Sequence, residues 1–322
     1  MKIPVFNQER SDELQAQLEH MANMDAVGAR SAKASSRPRR VRRNTAWGLT
    51  ATMIVALTAT AAIQQSASSA QATEILHGLS SIAKNYSDVV PDKNEFLKVE
   101  THGFWLACTA ADDGSEHCVP DEERVINFYK PGNAKAQWAF EYIAHGSPND
   151  VQRAVDGAFE SGDFSWLNTM LKQATSGQAL YDYVDSTYSG GSLSRDENNF
   201  VRLTDALRTG LVPAAQRGAF YDALSKVPGV TATKDVTTKD GRVGVSIGRT
   251  EPLRMGMREE LIVDPGTGQI IGSRDISTAA ILGFGKNEVT GQSYIKYSKV
   301  DSAPESTRTS THPDQEEGEN NP

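Results

Sequence analysis

The sequence predicts an α+β domain, a curved antiparallel sheet of half-barrel type covered by helices, preceded by one transmembrane helix. Three observations lead there. Strand-like alternation runs from Phe96 to Tyr129 and again from Thr231 to Val300, while helical spacing fills the stretch between them. Arg37, Arg39, Arg40, Arg42 and Arg43 abut a segment from Asn44 to Thr73 that carries no charge. A mean hydropathy of −0.46 over 322 residues excludes several spans and leaves room for one. The expected divisions are a cytoplasmic segment over 1–45, a span over 46–65, an extracytoplasmic domain over 72–300 and a disordered acidic tail over 301–322.

The net charge of −8 is uneven: residues 1–45 hold nine Lys/Arg against five Asp/Glu, so +4 there leaves −12 for the remainder. Ser11 is a suitable N-cap, and Leu14, Leu18 and Met21 follow at i, i+4, i+7 as a narrow stripe able to dock a cytoplasmic regulatory protein. Residues 26–44 read as linker. The apolar centre from Ala46 to Ile63 is about 27 Å long as a helix, near the thickness of a bilayer core. Trp47 marks the headgroup layer, and the arginines place the N-terminus in the cytoplasm and the C-terminus outside. Membrane, with anionic lipid at the arginines, is therefore the expected partner; topology accounts for their charge without nucleic acid. A cleaved secretory signal competes with an anchor, since Ala70 and Ala72 stand in A-x-A spacing, but some 45 polar residues precede the apolar run. A buried helix of a soluble domain is the third alternative.

Beyond the span, residues 72–85 predict a helix with Ile75, Leu79 and Ile82 on one face. Two strands, 96–108 and 118–129, bracket a polar turn at Asp112–Ser115. Helices are expected from Asn149 to Pro228, with Trp166, Leu167, Met170 and Leu171 on one face, then Phe200, Leu203 and Leu207. A loop is expected from Ser186 to Asn199. The last helix starts at Pro213 as N1, carries Phe220, Ala223, Leu224 and Val227 on one side, and stops at Pro228-Gly229. Strands return over 231–237, 242–249, 259–264, 269–276 and 293–300, with turns at Lys239-Asp-Gly241 and Asp264-Pro-Gly-Thr-Gly268.

Cys108 and Cys118 are the two cysteines, and both fall on the outer side, where thiols oxidise. They lie symmetrically about Asp113, so a hairpin turning there sets them opposite each other as a disulfide. His102 and His117 raise a metal site, but His117 and Cys118 are neighbours on a strand and diverge, so no metal or other cofactor is expected. Gly244-Val-Ser-Ile-Gly248 matches the hydrolase elbow pattern, yet Val243, Val245 and Ile247 alternate straight through it, so Ser246 is expected mid-strand and no catalytic residue is assigned. Glu259-Glu260 and Asp121-Glu122-Glu123 read as solvated carboxylates. Aromatic residues crowd the first hairpin; core packing explains most, and a curved sheet would leave Phe104, Trp105, Phe128 and Trp138 lining an apolar groove.

The run from Pro213 to Val230, with its Arg217-Gly-Ala-Phe-Tyr-Asp-Ala-Leu and Pro-Gly-Val end, and the Glu259-Glu-Leu-Ile-Val-Asp-Pro-Gly-Thr-Gly hairpin resemble an actinobacterial family of single-pass membrane proteins of unknown function. Gly218 is an insertion relative to that pattern. The resemblance covers residues 37 to 300 and implies a short cytoplasmic segment, one span and an outer domain, in genes often beside those of extracytoplasmic-function sigma factors. More distantly, the outer domain is similar to the half-barrels of lipoprotein carriers and sigma-regulator sensors, a likeness of fold alone. An anchored sensor or regulatory binding domain is thus the expected function, a lipid or apolar-ligand carrier the alternative, and no enzyme activity is expected.

Overall fold

The computed structural model describes residues 70–110, 116–145, 147–159, 162–254 and 256–308. The stripe of Leu14, Leu18 and Met21, the cluster from Arg37 to Arg43 and the expected span over 46–65 lie outside the described residues. Among the described residues no helix is long and apolar enough to cross a membrane.

A helix α1 over residues 70–85 comes first. Strands β1 (Phe96–Phe104), β2 (Leu106–Ala110), β3 (Glu116–Pro120), β4 (Arg124–Pro131), β5 (Trp138–Ala144), β6 (Asp150–Ala154), β7 (Ala158–Phe159) and β8 (Gly162–Asp163) follow. Four helices come next: α2 (Ser165–Gln173), α3 (Gly177–Ser186), α4 (Arg195–Arg208) and α5 (Ala214–Leu224). The chain closes with β9 (Val230–Thr237), β10 (Val243–Glu251), β11 (Met257–Val263), β12 (Ile270–Ser277) and β13 (Glu288–Val300). Nine strands form one antiparallel sheet in the order β6-β5-β4-β1-β13-β12-β11-β10-β9, with β6 and β9 at its edges. β13 pairs with β1 from Phe96↔Val300 to Phe104↔Gln292, so the two ends of the domain meet at the sheet's centre.

The strand-helix-strand order therefore holds, with four departures. The first hairpin is not continuous: it breaks at Trp105, and β2 and β3 form a separate two-stranded ribbon above β1 and β4. The region expected to be helical from Asn149 opens instead with β6, because this segment finds a backbone partner in β5, a strand set off from β4 by Pro131-Gly132-Asn133. The loop expected over 186–199 shrinks to 187–194. Ser194 caps α4 by accepting from the Glu197 amide at 3.0 Å while Glu197 reaches back to the Leu193 amide, a capping arrangement that starts the helix early. Residues 301–308, expected within a disordered tail, run along β6: the Thr307 amide donates to the Val151 carbonyl at 3.0 Å, and Arg308 pairs with Asp150.

The helices pack on the sheet face that carries Val99, Ile295, Leu261 and Ile247, all essentially buried. α5 lies at the centre of that layer and is buried on nearly every side, from Arg217 to Leu224, which removes the one-sided pattern of a surface helix. Each fully buried side chain such as Phe220, Leu224 or Leu203 contributes roughly 1.5–3 kcal/mol of transfer free energy. α1 buries Ala72, Leu76, Leu79, Ser80 and Ala83; of the expected face Leu79 is buried and Ile75 packs partly against the core, while Ile82 is half-exposed. This inner face follows from close approach to α5: a Cβ on Gly218 would stand 2.9 Å from the Ser80 carbonyl oxygen and 2.6 Å from Lys84. Small residues therefore face the partner helix, and Gly218 has a packing reason.

Candidate functional site

A cavity of about 270 Å³ lies between the helix-facing side of the sheet, the strap that follows α1, and the α4–α5 turn. Its strap wall is Asp88-Val-Val-Pro91. Chain geometry explains why the strap sits there. Pro213 occupies the N-cap of α5 and offers no side-chain oxygen, leaving first-turn amides without a local acceptor. Asp88 supplies it from outside, accepting from the Ala214 amide at 2.5 Å and from the Arg217 guanidinium at 2.7 Å. Arg217 is itself buried and donates to the Val212 carbonyl at 3.2 Å, so one carboxylate latches the strap to the helix layer.

The opposite walls come from Leu97 on β1, Lys130 on β4 and Tyr297 on β13, and the turn wall from Gly210, Leu211 and Val212. Gly210 ends α4 at φ +68, where a Cβ would strike Val99 and Tyr297, so glycine is what lets the turn come down onto the sheet. The Tyr297 hydroxyl donates to the Ile270 carbonyl at 2.9 Å and the Tyr221 hydroxyl to the Gly268 carbonyl at 2.6 Å. Burial pushes both phenols up, so they stay protonated donors and pin the β11–β12 turn to the cavity's floor. Lys130 is half-buried over the Trp138 ring, 5.3 Å from its centroid, and burial pushes its ammonium below the ordinary lysine range. The walls are largely apolar with a few polar groups among them, the form of a site for a small molecule.

The expected groove residues are divided. Phe128 and Trp138 face the helices, where Phe128 packs edge-on against Phe164 at 4.9 Å and joins Phe140 and Phe159 in an aromatic cluster. Trp105 turns over Gly103 at the kink, four residues along β1 from the register of Phe128. Phe104 alternates to the other face of the sheet, beneath the Lys239 ammonium at 5.7 Å. They do not line one groove; only the neighbourhood of Trp138 and Lys130 touches the cavity. The cavity's own signal was present in β4, where Ile126, Phe128 and Lys130 share a face, so the period of two puts a lysine on the core side.

Cys108 and Cys118 form the disulfide, directly opposite in the β2–β3 register. Ser246 is fully buried in mid-β10, paired with Ile262 and Thr233, without the strand-to-helix turn an elbow requires. Glu259 and Glu260 diverge to opposite faces, but neither is a solvated carboxylate: Glu259 meets Arg208 at 3.2 Å, and buried Glu260 meets Arg258 and Arg274 at 2.6 and 2.5 Å. His102 stacks on Tyr294 and approaches Glu100 at 2.8 Å, and no group of three metal-ligating side chains is found among the described residues. Compared with known proteins, the chain matches no family model and no curated protein.

Proposed function

We propose that this domain is the extracytoplasmic sensor of a single-span membrane protein, and that it binds a small, largely apolar ligand in the cavity behind the strap. The cavity carries the proposal: its strap is the first segment after α1, and α1 is the first described element after the predicted span. A ligand touching Val89 and Val90 thus acts one connection away from the stem. The open sheet with helices on one face supports the likeness to half-barrel carriers and sensors, and the stripe of Leu14, Leu18 and Met21 is the proposed contact for a cytoplasmic regulatory protein. A carrier would use the same cavity; release of a mature chain beginning near Thr73 from cells would favour it over an anchored sensor.

The binding test is equilibrium dialysis of octanol against the full-length chain and against Leu97→Trp, which projects a larger ring into the cavity. Saturable binding to the wild type, lost in the variant at unchanged thermal midpoint, is expected. Equal uptake by both chains would overturn the cavity as the site.

A further inference from the structure

We propose that the cavity selects an amphipathic anion, a short chain or ring ending in a carboxylate or phosphate, and that Lys130 recognises the anionic head. The inference rests on the cavity being a ligand site and adds the chemistry of what enters it. Lys130 leaves β4 on the same face as its cross-strand neighbour Leu97, and both line the cavity. Among the described residues its ammonium meets no carboxylate and no hydrogen-bond acceptor; the contact it makes is with the face of Trp138. Asp88 is the acid among the lining residues, and its two oxygens are already engaged by Arg217 and by the Ala214 amide. The cavity therefore carries one uncompensated charge, and it is positive.

A half-buried ammonium without a partner is disfavoured by desolvation, seen here in the lowered lysine pKa. An incoming anion repairs that deficit, while a neutral ligand leaves it and a cation deepens it. Size sets the rest of the class. At ~30 Å³ per water- or methylene-sized group, 270 Å³ admits about nine such groups, the bulk of an eight-carbon chain and its head. Longer chains would have to pass Val90, which is exposed at 75% and marks the strap's outer side. Because lysine acts as a point charge and not as a planar fork, carboxylate and phosphate heads are both accommodated.

The test measures octanoate, octyl phosphate, octanol and octylamine by equilibrium dialysis against the full-length chain, Lys130→Met and Lys130→Arg, each corrected by a protein-free blank of the same composition. At least one of the two anions is expected to bind about tenfold or more tighter than octanol, the order a charge-assisted hydrogen bond supplies, with octylamine weakest. Lys130→Met should erase the anion's advantage and leave octanol within about twofold, and Lys130→Arg should keep most of it. Octanol or octylamine matching both anions on the wild type overturns the anion proposal while leaving the cavity reading standing, and needs no variant to fold. Failure of every probe to bind overturns both.

Discussion

Replacing Asp88 with Ala removes the carboxylate that holds the strap to α5, and the consequence is set by what it leaves behind. The Arg217 side chain is 4% exposed and would keep the Val212 carbonyl at 3.2 Å as its remaining partner. Removing one member of a fully buried pair costs about 3–5 kcal/mol. Asp88 is 24% exposed, so water reaches the abandoned guanidinium and reduces that to about 2–3 kcal/mol. Loss of the acceptor for the Ala214 amide adds about 1 kcal/mol. The sum, roughly 3–4 kcal/mol, corresponds to a fall of about 10 °C in thermal midpoint for a domain of this size. Urea unfolding followed by tryptophan fluorescence should show a lower midpoint at unchanged slope. Elastase should cut the variant at Val89-Val90 faster than the wild type. Asp88→Ala with Arg217→Met should recover part of the loss, since removing both charges leaves neither unpaired. A single variant within about 0.5 kcal/mol of the wild type, or a strictly additive double, would refute the latch.

Mass spectrometry of the unreduced chain should yield one peptide pair joined through Cys108 and Cys118, and reduction should raise amide exchange in β2 and β3 alone, because that ribbon is a sheet of its own; exchange spreading through β1, β4 and β13 would count against that independence. Burial raises the Asp275 carboxyl from 3.8 to about 6, against the pull of Arg208 and with Glu259, Asp205 and Glu260 adding to it. The folded state then holds this proton more tightly than the unfolded one between about pH 4 and 6, so stability from this group is full below about pH 4 and lost as pH rises through 6. Asp275→Asn should therefore exceed the wild type in stability above pH 6 and converge with it near pH 4, and a constant difference across that range would exclude the assignment. Gly218→Ala gains about 1 kcal/mol of helix propensity but sets a methyl 2.9 Å from the Ser80 carbonyl oxygen; overpacking of about 1–3 kcal/mol should win, with valine worse than alanine. A more stable Gly218→Ala chain would mean α1 does not cross α5 there.

What could be read from the chain beforehand depended on whether the cause was local. The disulfide was legible because its two residues are mirrored about Asp113 and the hairpin is short. Strands β9 to β12 were legible because Asp240-Gly241 separates β9 from β10 and Pro265-Gly266 separates β11 from β12. β5 carries strand formers at Trp138, Phe140 and Tyr142, whereas β6, Asp-Val-Gln-Arg-Ala, has little propensity of its own and is fixed as a strand by pairing with β5. The α1 stripe is only partly legible, because close approach and not apolar size sets its inner face: Ala83, beside Gly268, and Ser80, beside Gly218, are buried with Leu79, while the larger Ile82 stands half-exposed. The groove set failed on parity, as Phe104 and Phe128 alternate onto opposite faces. The cavity draws its walls from the strap, three strands and three turns, and the strap itself has no period at all.

A sensor and a carrier ask different things of one cavity, and the latch separates them. A carrier needs the domain to open and close around cargo with its stem indifferent. A sensor needs occupancy to be felt where the chain leaves for the membrane. Here the strap is fastened by Asp88 to the N-terminus of α5, and α5 is in turn fastened to α1 by Asp222, which meets His77 at 3.0 Å and Lys84 at 3.1 Å. α1, strap and α5 thus form a closed loop of contacts on the stem side of the cavity. A ligand that displaces Val89 and Val90 would strain the Asp88 latch first and then the α1–α5 contact, whereas Leu97 is held by unbroken ladders to β4 and β13, and Tyr297 by the β1 ladder and its hydroxyl bond to the Ile270 carbonyl. The compliant wall is the one joined to α1, which is what a proposed relay through the predicted span requires.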